Sequence, residues 1–127
     1  MVKQYKEQYM IFDWVLIENT PFQIYSLTRK KIGYHRRKET ISYCRLQDVK
    51  PCPLTPEILV LNGFKAIDEC MGYARYYDQE NDVTIDFSGV VCYILFRDRP
   101  KKMFYVHELQ HYYDFLKIKK VFKIVGE

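Results

Sequence analysis

Residues 107–111 read His107-Glu108-Leu109-Gln110-His111, the H-E-x-x-H spacing. On a helix, two histidines four residues apart lie about 40° from one another around the axis, close enough to share a zinc ion. The glutamate between them would polarise a metal-bound water. The neighbouring residues supply the helix. Val106, Leu109, Tyr113 and Leu116 recur at i, i+3, i+7 and i+10, a one-sided apolar stripe that predicts a helix over about 106–117. They do not supply a third ligand, which a catalytic zinc requires. Downstream only Asp114 and Glu127 are carboxylates. The Asp114 Cα would lie about 10 Å along the helix from that of His107. The remaining histidine, His35, sits among cations that repel a metal ion. Both histidines of the motif fall opposite the aliphatic stripe, so they are expected on a polar helix face. The reading is a non-enzymatic chain with no catalytic residue, no metal ligand and no cofactor. A minimal zinc hydrolase using His107, Glu108 and His111 is the enzymatic alternative.

A second constellation is electrostatic. Arg29-Lys30-Lys31 and Arg36-Arg37-Lys38 put six basic residues into ten positions, with Tyr34 and His35 between them. If residues 24–45 form a hairpin, its tip is a basic finger with one aromatic. Such a finger would track a phosphate backbone and stack a base. The candidate nucleic-acid contacts are therefore Arg29, Lys30, Lys31, Tyr34, Arg36, Arg37 and Lys38. The competing reading is a solvated turn whose charges discourage edge-to-edge pairing. The net charge of +4 is uneven, because residues 29–63 hold eight Lys or Arg against three Asp or Glu while residues 64–100 hold four against seven. Asp78, Glu80, Asp82 and Asp86 begin like a calcium loop, but Val83 stands at the glycine position and Gly89 at the closing glutamate position. They read as turn and strand-surface carboxylates without a site.

The elements that must position these residues are mostly strands. A chain of 127 residues fits a single domain spanning 1–127. Aromatics reach 17%, with 12 Tyr and 8 Phe, a composition that favours pleated surfaces. Residues 10–16, 22–25, 32–34 and 41–46 read as short strands, an antiparallel sheet or a small barrel-like N-terminal part. Residues 73–77, 83–87, 90–96 and 103–106 read as further strands. Between the two groups, Thr55 caps a helix, Pro56 opens it, Leu54 and Leu59 staple it, and Gly63 ends it, predicting a helix over about 55–62. Lys119 to Val125 alternate as an edge strand or a frayed end. The fold class is α+β: mostly antiparallel strands with two helices. No apolar run approaches the roughly 20 residues of a membrane span, and MVKQYKEQYM carries no apolar leader core. Cys44, Cys52, Cys70 and Cys92 show no C-x-x-C spacing and read as reduced thiols of a cytoplasmic protein that does not engage a membrane.

Two boxes carry a family resemblance. Pro53-Leu54-Thr55-Pro56-Glu57-Ile58-Leu59 with Asn62-Gly63-Phe64, and Tyr105-Val106-His107-Glu108-Leu109-Gln110-His111, resemble the PLTPEIL…NGF and YVHELQ boxes of small uncharacterised proteins from gut Bacteroides genomes and their phages. Trp14-Val15 stands where that family has a Trp-Val pair, although Phe12-Asp13 replaces its Gly-Asn. The resemblance implies an accessory or binding protein of a phage-like or mobile element. It also implies that the second box serves the start and packing of a helix, since relatives that read VHQLQN lose both the Glu and the second His.

Overall fold

The computed structural model describes residues 9–89, 91–96 and 99–124. The chain divides after Cys52 into two compact units.

The first unit contains β1 (Trp14–Ile17), β2 (Thr20–Gln23), β3 (Ser26–Leu27), β4 (Lys31–Arg37), β5 (Thr40–Arg45) and β6 (Val49–Pro51), with one 3-10 turn at Leu46–Asp48. They form two open antiparallel sheets, β2-β1-β6 and β3-β4-β5. No barrel closes among the described residues, so that part of the expectation is corrected. The β1–β2 turn is Glu18-Asn19, both at positive φ (54° and 64°), as a two-residue hairpin of matching twist demands. The strand expected from residue 10 begins only at Trp14. Asp13 Oδ2 accepts the Met10 N–H at 2.7 Å, and Phe12 takes a φ of 78°, so residues 10–13 form a turn. Val15, Ile17, Ile24, Ile32, Tyr34 and Val49 make the core of this unit.

The second unit contains α1 (Pro56–Leu61), β7 (Lys65–Cys70), β8 (Tyr73–Asp78), β9 (Val83–Ser88), β10 (Val91–Phe96), β11 (Arg99–Met103) and α2 (Val106–Phe115). The five strands form one antiparallel meander in chain order. The α1 boundaries follow the sequence. Thr55 Oγ1 accepts the Ile58 N–H at 3.3 Å. At the other end Gly63, at φ 91°, donates to Val60 O (3.1 Å) and Phe64 N–H to Leu59 O (3.0 Å), the paired bonds of a Schellman ending. β7 was not legible, since all six of its side chains are exposed at the sheet edge. The strand expected at 103–106 lies earlier, at Arg99–Met103. The described part of the tail, 119–124, forms no strand. It is tied down instead by Asn62, whose Nδ2 donates to Lys123 O (2.8 Å) and whose Oδ1 accepts the Lys123 N–H (2.7 Å).

Val83, Ile85, Phe87, Cys92 and Ile94 are buried on one side of the meander, and the α2 stripe of Val106, Leu109 and Tyr113 is buried as well. Asp78 lies on that side too, 2% exposed, not on the surface as the sequence reading placed it. Its Oδ2 accepts the Tyr113 hydroxyl (2.7 Å) and Asn81 Nδ2 (2.8 Å), with Lys120 Nζ at 3.6 Å. Burial alone would raise its pKa, but the hydrogen bonds from Asn81 and Tyr113 and the charge of Lys120 outweigh it and hold the carboxyl below its usual range. A carboxyl shifted in that direction contributes stability that is complete above its unfolded pKa, about 3.9, and is lost as pH falls through the folded value. Asp78→Asn is therefore expected to lower stability at pH 7 by about 2–3 kcal/mol and to flatten the acid limb below pH 4. Denaturant titrations at pH 7 and pH 3 check this, and an unchanged midpoint at pH 7 contradicts it.

Candidate nucleic-acid interface

Thr28 turns the chain into β4. Its N–H donates to Lys31 O (2.9 Å), and its Oγ1 accepts the Lys31 N–H (3.2 Å), leaving Arg29 and Lys30 at the turn tip. At the other end a bulge separates His35 from Arg37, and Lys38-Glu39 turns into β5. The two basic triplets thus stand at opposite ends of one seven-residue strand, about 20 Å apart at 3.3 Å per residue. They do not form one finger.

The period-2 pleat then sorts the side chains of β4. Tyr34, expected to stack a base, is 4% exposed and belongs to the core, with its ring 4.7 Å from that of Phe22. This is a correction, and its cause is that Ile32 and Tyr34 share the inward side. Arg36, in the bulge, stays exposed and folds back over Tyr34. Its Nη2 donates to Tyr34 Oη (2.9 Å) and Glu18 Oε1 (3.2 Å), and its guanidinium lies 5.5 Å from the Phe22 ring centroid. The hydrogen bond to Tyr34, then Glu18, raises its pKa further.

The outward side holds Lys31, Gly33 and His35, paired across the strand with Arg45, Tyr43 and Ile41. Tyr43 is 59% exposed and lies across Gly33. A Cβ on Gly33 would overlap Ser26 Oγ and sit 3.1 Å from Tyr43 Cε1 and 3.2 Å from Ile41 Cγ2, so only glycine lets the ring lie this close. Lys31 Nζ is 5.0 Å from the Tyr43 ring centroid. At the far end Tyr25, 51% exposed, meets His35 edge-on at 4.5 Å. An open cleft of about 930 Å³ at the Lys31 end is lined by Arg29, Lys30, Lys31 and Arg45 together with Leu27 and Gln47. A smaller one of about 300 Å³ at the His35 end is lined by Tyr25, His35, Trp14 and Phe22. Tyr25, Tyr43 and Arg45 were missed in the sequence. The signal that finds them is strand register, which a basic-residue count does not contain.

The H-E-x-x-H segment is on a helix as expected, but it is placed differently. His107 is 2% exposed, buried rather than on a polar face. The Tyr105 ring stacks over it at 5.9 Å and His111 meets it edge-on at 5.5 Å. Glu108 Oε1 accepts the N–H groups of Phe104 (2.7 Å) and Tyr105 (3.0 Å), so that oxygen closes the start of α2. Among the described residues no group of three His, Cys, Asp or Glu is placed to hold a metal ion. The four cysteines are free thiols, and burial pushes Cys52 up to about 11 and Cys92 up to about 12. Among the described residues no helix is long and apolar enough to cross a membrane. Comparison with protein-family models, curated proteins and solved structures gave no match.

Glu108→Ala is expected to cost about 1 kcal/mol through the lost cap, and chelator is expected to leave the wild-type melting temperature unchanged. Thermal melts with and without chelator check both. A chelator-dependent drop would restore a metal site.

Proposed function

We propose that this chain is a non-enzymatic binding protein and that nucleic acid is its ligand, held on the outward face of β3-β4-β5. The resemblance of the two sequence boxes supports reading it as an accessory protein of a phage-like or mobile element. The four free thiols suit the reducing cytoplasm. The observation that carries the reading is the company the cations keep. Lys31 and Arg45 stand as a cross-strand pair beside an exposed tyrosine on one sheet face, and Arg29 and Lys30 extend the cations at that end. Residues 9–52 hold eight Lys or Arg against four Asp or Glu, so the surrounding field attracts phosphate.

Arg29→Glu combined with Lys30→Glu changes only the turn tip. The pair is expected to weaken binding to every sequence alike and to lower the slope of log K against log salt by about 2. Filter binding or anisotropy at ~50 mM and ~200 mM salt measures it, the lower value being where electrostatic binding is strongest. No binding of DNA or RNA in either form at the lower salt would overturn the reading.

A further inference from the structure

Resting on that reading, we infer that the face takes single-stranded nucleic acid, with Tyr43 and the Tyr25–His35 pair as two successive base-stacking stations. Tyr43 lies at the level of Gly33, and His35 is two residues further along the same side of β4. Two residues of strand span about 7 Å. That is twice the 3.4 Å rise between stacked neighbours in one strand of a duplex. Bases resting on both stations must therefore be parted from each other, which a single strand permits and a paired helix does not.

The rest of the face agrees. One side of the Tyr43 ring covers Gly33, an ordinary structural task for an aromatic opposite a strand glycine. That task does not require the ring to be 59% exposed or to have Lys31 beside it. Lys31 is a long, solvated side chain, and rotamer changes alone move its ammonium from the ring to a phosphate. Arg45, its cross-strand neighbour, is held by Asp48 at 3.1 Å in an exposed pair that a phosphate can replace. The cations at the Lys31 end, Lys31 and Arg45 with Arg29 and Lys30 at the turn, anchor the phosphate backbone beside the Tyr43 station. The cleft at the His35 end, lined by Tyr25 and His35, leaves room for sugar and phosphate beside that station, and the one at the Lys31 end is lined by the cations.

The test is fluorescence anisotropy at ~50 mM salt with labelled 12-nucleotide single strands, DNA and RNA, and with the matching duplexes. Wild type is expected to favour the single strands. Tyr43→Ala is expected to weaken single-strand binding roughly 5- to 100-fold, the range found when a stacking aromatic is removed, without changing the salt slope or duplex binding. Tyr25→Ala should act in the same direction, and Tyr43→Phe should restore most of the affinity because the ring remains. Circular dichroism of each variant confirms that it folds. Equal wild-type affinity for duplex and single strand, with Tyr43→Ala and Tyr25→Ala silent, would overturn this inference while leaving nucleic-acid binding intact. Failure of every probe to bind would remove the broader reading as well.

Discussion

The side chains at the centre of the proposed interface, Lys31, His35, Tyr43 and Arg45, take their positions from the alternation along β4 and its register with β5. Ile32 and Tyr34 are buried in the core of the first unit while Lys31 and His35 stand in solvent. Because the side-chain period is 2, a slip of one residue would exchange the two sets. It would expose Ile32 and Tyr34, at a cost of roughly 2–3 kcal/mol each, and would bury a lysine ammonium without a partner. The register is thus fixed by burial, and the outward display of Lys31, Tyr43, His35 and Arg45 follows from it. The bulge after His35 ends this regularity. It lets Arg36 turn back to Tyr34 and Glu18, so the neighbouring cations of the second triplet have different tasks.

The second unit rests on a different kind of contact. Its sheet and α2 each bury an apolar side, and Asp78 adds a buried carboxylate that reaches a helix, a turn and the tail through Tyr113, Asn81 and Lys120. A charge removed from water is tolerated only when such partners replace the water. Lys120 is held further by the Phe64 and Phe122 rings, each with its centroid 5.9 Å away. Asn62 fixes the same tail from the end of α1. Three acidic residues that look chemical in this half thus have structural tasks: Asp78 joins elements, Asp86 pairs with Arg75 across two strands at 2.7 Å, and Glu108 starts a helix.

Legibility followed locality. The ends of α1 could be read because Thr55, Pro56, Gly63 and Phe64 act within a few residues of one another. The meander from β8 to β10 could be read from its alternation and turns. Residues whose role depends on distant partners could not. Asp78 looked like a turn carboxylate because Tyr113 is 35 positions away. His107 looked polar because the helical wheel shows only the angle, not the Tyr105 ring that stacks on it. β7 carries no alternation of burial, so it left no pattern to find. At the interface the basic residues were visible, but the side each one faces was not. Tyr34 was chosen for its place between the cations, whereas Tyr43, nine residues on, is the ring that register brings to the same face as Lys31.

The most direct measurement is a two-dimensional NMR titration of isotope-labelled protein with a short single-stranded oligonucleotide at low salt. Binding on the outward face of β3-β4-β5 should move the amide signals of Lys31, Gly33, His35, Tyr43 and Arg45 most, together with the Arg29-Lys30 turn, and leave α2 and the five-stranded sheet near their free positions. Shifts concentrated in the second unit, with β4 and β5 silent at saturation, would contradict the assignment of this face.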